Sequence, residues 1–300
     1  MPLAAFPKCF IKEMVVAQTM SPQQWIDMAA DQLDIDGLEF YWGFTPHHNS
    51  AAVEKLRKHA ESRGLTIPML CYSSDFTQPD PADRAREVET QKRAIETAAL
   101  LGARYCRILS GQRRPEISRA SGLRMVVDCI QQVLSYAEQQ GITLILENHY
   151  KDAHWQYPEF AQKIDVFLEL LSHLPQSKHF GVNYDPSNTI IAGEDPIAML
   201  EAVKHRVVTM HASDRYFEGG TAEDLRKLEA HPQTGYSSIL KHGVIGRGLN
   251  DYDRIFSILK SVGFNGWISI EDGEDPKVGM DHLRQSAEFL RQKMTMHGLT

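Results

Sequence analysis

The chain has 300 residues, 42% of them apolar, and carries 32 Lys plus Arg against 39 Asp plus Glu, a formal charge of −7. That size suits one large barrel or two medium domains. The acidic balance without a basic run argues against nucleic-acid partners, and no apolar stretch is long enough to span a membrane.

The start, Met1-Pro2-Leu3-Ala4-Ala5-Phe6, lacks the charged and long apolar regions of a signal peptide. Cys9, Cys71, Cys106 and Cys129 are scattered, three in predicted strands and Cys129 on a helix. They read as small buried hydrophobes in a reducing cytosol, so a cytoplasmic location is expected.

Strand and helix signals alternate eight times along the chain. Lys8–Val16 is the expected first strand, and Ser21-Pro22 opens a helix through about Gln32. Gly37–Trp42 and Thr66–Ser73 are the next strands, with a helix at Ala51–Arg63 between them. A long amphipathic helix at Ala82–Leu101 stops at Gly102, strand four is Ala103–Leu109, and its helix runs from about Ser121 to Gln140. Ile142–Glu147 is strand five, with a helix at Glu159–Leu174, and His179–Asp185 is strand six. After a helix from Asp195-Pro196 to about Lys204 comes strand seven, Arg206–His211. Tyr216–Gly248 is a long insertion before a helix at Tyr252–Val262, strand eight at Gly266–Glu271 and a last helix at about Asp281–Lys293. This order predicts a single (β/α)₈ barrel over 1–300, with eight parallel strands and the insertion after strand seven. A doubly wound sheet is the runner-up, but Gly246-Arg247-Gly248 follows no clear strand and lacks the rest of a dinucleotide fingerprint.

Four polar clusters close apolar runs: Glu147-Asn148-His149, Asp185, His211 and Glu271-Asp272. The strand end is where such barrels carry their chemistry. One strand-end Asp or His usually caps a loop, but four on strands five to eight would converge. Side-chain alternation turns Glu147 and His149 to the same face and Asn148 away. Two residues back lie Ile145, Asn183, Thr209 and Ser269, three of them polar, as supports for the ligands would be. Glu147, Asp185, His211 and Glu271 would form an oxygen-rich site for one divalent ion. Mn²⁺ is preferred, with Mg²⁺, Co²⁺ or Zn²⁺ as alternatives. Octahedral geometry would leave two positions for substrate oxygens, and the ion would stabilise an enediolate as a Lewis acid.

Other rim residues carry weaker signals. His149 faces inward and is a candidate base or a supporting hydrogen-bond partner. Arg215 is placed to bind a substrate oxyanion or hydroxyl, or is a solvated loop charge. Lys12, Glu39, His47, His48 and Lys151 lie at or beyond predicted strand ends. His154-Trp155 is a candidate sugar-stacking wall, against a loop-packing Trp. A loop as long as the insertion serves as a lid or a subunit contact, so a homo-oligomer or a small accessory subunit joins a carbohydrate substrate among the expected partners.

Glu147-Asn148-His149-Tyr150, Tyr184-Asp185-Pro186-Ser187-Asn188, Met210-His211-Ala212-Ser213-Asp214-Arg215 and Gly263–Glu271 resemble the xylose-isomerase-like TIM barrels. This is the sugar phosphate isomerase/epimerase and AP endonuclease family 2 superfamily. The resemblance runs from about Lys8 to Leu290 and implies the same four ligands. Ketose 3-epimerases of this group use the two metal-bound glutamates as an acid/base pair. They also carry a Glu and a His where this chain has Ala153 and Asn188. The Glu-Asn-His run resembles members acting on 3-keto-glycosides, the C-glycoside deglycosidase large subunits and 3-keto-glucal hydratases, which implies His149 as base. Endonuclease IV needs a His-rich trinuclear zinc site, which the strand ends do not supply.

The expected activity is a metal-dependent sugar isomerase or epimerase that transfers a proton beside a carbonyl, with Glu147, His149 and Glu271 as the exchanging groups. A 3-keto-glycoside lyase or hydratase using His149 is the alternative. Arg215, His154, Trp155 and Lys12 are the expected substrate contacts. A non-catalytic sugar-binding barrel and a DNA-repair nuclease stand behind both.

Overall fold

The computed structural model describes residues 1–227, 231, 235–273 and 275–299. Short apolar runs too brief for helices pair side by side as parallel strands, each followed by an amphipathic helix that covers the outside. The strands are β1 (Leu3–Ala5), β2 (Gly37–Tyr41), β3 (Thr66–Cys71), β4 (Tyr105–Ile108), β5 (Thr143–Glu147), β6 (Phe180–Tyr184) and β7 (Val207–Ala212). After a hairpin of β8 (Arg215–Phe217) and β9 (Leu240–His242) comes β10 (Trp267–Ile270). The order β1-β10-β7-β6-β5-β4-β3-β2 closes on itself, so the fold is a closed eight-stranded parallel barrel with an insertion after the seventh barrel strand.

The helices are α1 (Pro22–Gln32), α2 (Ser50–Ser62), α3 (Pro81–Leu100), α4 (Arg119–Gln140), α5 (Ile164–Ser172), α6 (Pro186–Ile191), α7 (Pro196–Val203), α8 (Ala222–Lys227), α9 (Tyr252–Ser261) and α10 (Gly279–Met296). Their starts follow the sequence signals. Ser21 and Gln24 form a capping box ahead of Pro22, and Asp80 and Asp195 cap α3 and α7 ahead of a proline. At the far end of α4, Gly141 takes φ +71°, a left-handed conformation that stops the helix. No helix among the described residues is long and apolar enough to cross a membrane.

The first strand departs from expectation. Lys8–Val16 is not a strand: Lys8–Phe10 forms a 3₁₀ turn and Lys12–Val16 a π-helical turn. The barrel strand is the earlier Leu3–Ala5, paired with β10 and β2. Three residues, two of them alanine, carry little β signal of their own; burial between two neighbouring strands holds them. The helix expected from Glu159 begins only at Ile164, because the preceding residues bind back to the β4 loop, with Phe160 N–H donating to Gly111 O at 2.7 Å.

Inside the barrel, Met69, Cys71, Tyr105 and Ile145 form a small apolar cluster separate from the main core. Above it the lining turns polar. Neighbouring strands place Glu147 level with Asn183, Asn183 with Thr209, and Ser269 with His211. This barrel is therefore apolar inside below and chargeable at its C-terminal mouth.

The described part of the insertion returns to the barrel around Asp214. The expectation of a long loop at Tyr216–Gly248 includes residues 228–230 and 232–234, which lie outside the described residues. The Asp214 carboxylate accepts backbone N–H groups from Arg215, Gly246, Gly248 and Asn250 at 2.9–3.1 Å. Gly246 has φ +85°, and a Cβ there would lie 2.4 Å from Phe289. The Gly-x-Gly thus wraps a side-chain carboxylate of the protein itself. Asp214→Ala would leave four backbone donors, the buried Arg215 and Asn250 N–H groups among them, without this acceptor and should cost about 2–4 kcal/mol. Urea unfolding checks this, and an unchanged midpoint and slope would contradict it.

Candidate functional site

Four strand ends deliver Glu147, Asp185, His211 and Glu271 to one point. One ligand-type atom from each lies within 4.8 Å of all the others. His211 Nδ1 is 3.2 Å from Glu147 Oε1, 3.2 Å from Glu271 Oε2 and 4.0 Å from Asp185 Oδ2. Parity explains the convergence. Glu147 is the last residue of β5 and faces inward, and Asp185 and Glu271 directly follow β6 and β10.

A shell of neighbours holds these groups. Arg107 on β4 donates to Glu147 Oε2 at 2.8 Å, while Asn188 Nδ2 donates to Glu147 Oε1 at 3.0 Å. Lys8 Nζ donates to Glu271 Oε1 at 3.1 Å. Asp185 accepts the Ser213 hydroxyl at 2.7 Å and the Asn188 N–H at 3.0 Å, capping α6. Asn148 faces away from the centre, with its amide bonded to both the N–H and the C=O of Asp185. On the opposite side of the imidazole, His211 Nε2 is 3.1 Å from Glu39 Oε2, and the Cys71 thiol donates to Glu39 Oε1 at 2.9 Å. Glu39, Cys71 and His211 also form a metal-like grouping. A carboxylate between a thiol and an imidazole N–H accounts for it without an ion. Glu39 favours the proton on Nε2, which leaves the Nδ1 lone pair toward the three carboxylates.

The charges are unevenly compensated. Burial opposes ionisation of Glu147, yet His211 and Arg107 outweigh it and hold the carboxyl down to about 2. Burial likewise opposes Glu271, but Lys8 and His211 hold it well below the usual carboxylate range. Asp185 has no cationic side chain of its own. Burial, then the charges of Glu271 and Glu147, push it up to about 7. His211 is driven far above its ordinary value, since Glu39 and Glu147 overcome its burial. An added dication would relieve both displaced groups, and three carboxylates with one imidazole are a donor set that suits one.

Of the other expected residues, His149 lies just beyond β5, stacked on Tyr150 with ring centroids 5.0 Å apart and met edge-on by Trp155 at 6.3 Å. Its Nδ1 points to Glu159 Oε2 at 3.7 Å. Trp155 is buried in this contact. His154 is exposed and pairs with Asp152 at 2.7 Å. Arg215 is buried at the start of β8, with its guanidinium 4.2 Å from the Tyr236 ring centroid and Nη2 donating to His242 Nε2 at 2.8 Å. Lys12 is exposed on its π-helical turn, and it is Lys8 that reaches the carboxylates.

Sequence reasoning did not single out Lys8, Arg107 or Glu159. Arg107 had a readable signal, a charge inside the buried strand Tyr105–Ile108, which must meet a counter-charge in the barrel. Lys8 was hidden by the misplaced first strand. Glu159 had no local signal, because its partner comes from across the loop.

Over 174 residues the chain is 22% identical to an inosose dehydratase from Clostridium beijerinckii, covering 57% of this chain and 54% of that protein. It thus spans about half the length of this curated relative, as it does for an inosose dehydratase from Bacillus thuringiensis. Among solved structures, IolI with a bound zinc atom superposes with a TM-score of 0.74 at 15% identity over 99% of both chains. A D-psicose 3-epimerase with D-tagatose from Clostridium cellulolyticum gives 0.75 at 14% identity over 98% of this chain and 99% of that one. At such identities the likeness is one of fold. Residues 28–293 match the family described as xylose isomerase-like TIM barrel, and the chain belongs to that family.

Proposed function

We propose that this chain is a divalent-metal-dependent enzyme that removes a proton from the carbon beside a carbonyl of a polyhydroxylated substrate, a sugar, keto-glycoside or cyclitol ketone, and then eliminates a β-hydroxyl. Glu147, Asp185, His211 and Glu271 would hold the ion, with Mn²⁺ preferred for so oxygen-rich a set. Such an ion supplies Lewis acidity that polarises the carbonyl and acidifies the adjacent C–H.

One observation carries the choice of base. Both inward glutamates are already engaged, Glu147 by Arg107 and Asn188, and Glu271 by Lys8. Their carboxyls are held far below neutral pH, so they are weak bases there. His149 has no such cationic partner and stands two residues beyond Glu147. In this reading His149 takes the proton, the C–H electron pair moves toward the carbonyl, and the pair returns to expel the hydroxyl. The departing hydroxyl takes up the proton that His149 removed and leaves as water, which regenerates the base. Lys8, bonded to Glu271, and Arg215, held among Tyr150, Tyr236 and His242, would be the cations for substrate oxygens. The name of the inosose dehydratase relative, a loss of water, supports elimination as the outcome. Epimerisation, which the sequence put first, would instead need Glu147 and Glu271 to carry the proton.

Two variants test the assignment. Glu39→Gln should weaken divalent-ion binding by about 10–100-fold, since the carboxylate behind the imidazole is lost. Chelator competition reads this, and unchanged affinity would contradict Glu39 as the support of His211. His149→Asn should lower turnover and solvent-deuterium uptake by about 10²–10⁴-fold while ion content stays intact. The assay uses an inosose, a 3-keto-glucoside and D-psicose in D₂O. Normal exchange in the variant would return the proton to the glutamate pair, and loss of the ion would make His149 a ligand.

A further inference from the structure

We propose that Glu159 is a positioning residue that fixes the tautomer of His149, holding the proton on Nδ1 and leaving the Nε2 lone pair for the substrate. This rests on the reading of His149 as the base. The observation is a pair of buried atoms without hydrogen-bond partners that face each other. His149 Nδ1 and Glu159 Oε2 both lack one, and they are 3.7 Å apart. That gap exceeds a hydrogen bond. Catalytic contacts of this kind are often long in a ligand-free site and tighten only when substrate is bound.

The carboxylate is anchored from behind. Glu159 is 1% exposed. Its Oε1 accepts the Ser110 N–H at 2.6 Å and the Ser110 hydroxyl as well. The Glu159 N–H donates to Tyr150 O at 2.7 Å, and the Ser110 hydroxyl also accepts from Ala161 N–H at 3.0 Å. Oε2 is thereby fixed toward the imidazole. Tyr150 and Trp155 restrain the ring plane. A protonated Nδ1 satisfies both orphaned atoms, whereas a bare Nδ1 would set two lone pairs against each other in a buried place. Ser110, Glu159 and His149 therefore form a chain in which a carboxylate orients an imidazole, the logic of other carboxylate-oriented bases.

The same anchoring makes Glu159→Gln a sharp test. Ser110 offers two donors to the Oε1 position, so the amide oxygen of the glutamine must settle there. Its NH₂ then occupies the Oε2 position and donates to Nδ1, which moves the ring proton to Nε2. The metal-loaded, ¹⁵N-histidine-labelled protein is examined by ¹H–¹⁵N NMR at a pH where the ring is neutral, with His149→Asn identifying the signal. The expected result is the Nδ1–H tautomer in the unaltered protein and the Nε2–H tautomer in Glu159→Gln. With an inosose as probe, kcat should fall about 10²–10⁴-fold, with KM and ion content within about threefold. A residue that only ties down the loop would change the melting temperature and KM but leave the tautomer alone. An Nε2–H tautomer in the unaltered protein overturns the proposal, even if Glu159→Gln fails to fold. If His149→Asn abolishes turnover while Glu159→Gln retains it, Glu159 is not the positioning residue and the base reading stands. If His149→Asn is fully active, the base reading itself has failed.

Discussion

Four carboxylates, Glu39, Glu147, Asp185 and Glu271, crowd around the single imidazole of His211 at the mouth of the barrel. Like charges about 4 Å apart repel by about 4 kcal/mol even at an effective dielectric near 20, a sizeable share of a domain's net stability. Such a cluster persists only if positive charge is brought to it. Arg107 meets Glu147 and Lys8 meets Glu271. Asp185 hydrogen-bonds only hydroxyl and backbone donors and shares the His211 imidazole, 4.0 Å away, with three other carboxylates, and its raised ionisation marks where positive charge is lacking. The barrel geometry creates this imbalance, because four neighbouring strands end in inward-facing acids and one imidazole. A divalent ion is the compensation this donor set fits.

The compensation also divides the labour among the residues. Groups that hold charge in place make poor proton carriers, since their lone pairs are engaged and their carboxyls are depressed. The carrier must stand near the cluster yet outside its ion pairs. In the proposed reading His149 meets that condition, with the buried Glu159 carboxylate facing its Nδ1, Tyr150 stacked on the ring and Trp155 meeting it edge-on. If His149 is the base, as proposed, the loop bearing Tyr150 to Glu159 matters to the chemistry as much as the strand ends do, although it contributes none of the four convergent donors.

The sequence showed clearly what period and parity encode. The strand ends Glu147, Asp185, His211 and Glu271 were readable because each closes an apolar run, and alternation dictates which way each side chain turns. Asn148, read as facing away, is seen pinning Asp185 from behind. The first strand was not readable: Leu3–Ala5 has no strand character beyond its burial, and the more β-like Ile11–Val16 stretch is helical in the fold. Lys8 and Glu159 were missed for a related reason. Their partners Glu271 and His149 approach only when the barrel closes or a loop folds back, and no local spacing records that.

The proposed metal centre is tested most directly by calorimetric titration of metal-free protein with Mn²⁺ at pH 6 and pH 8, repeated with Asp185→Asn. Without an ion, Asp185 holds a proton below a pH of about 7, and His211 holds one higher still. The incoming ion must displace these protons, so affinity falls with pH. The predicted result is one ion per chain, bound at least about tenfold more tightly at pH 8 than at pH 6, with much weaker binding in the variant. An absence of saturable binding, or the same affinity at both pH values and in Asp185→Asn, would contradict the account.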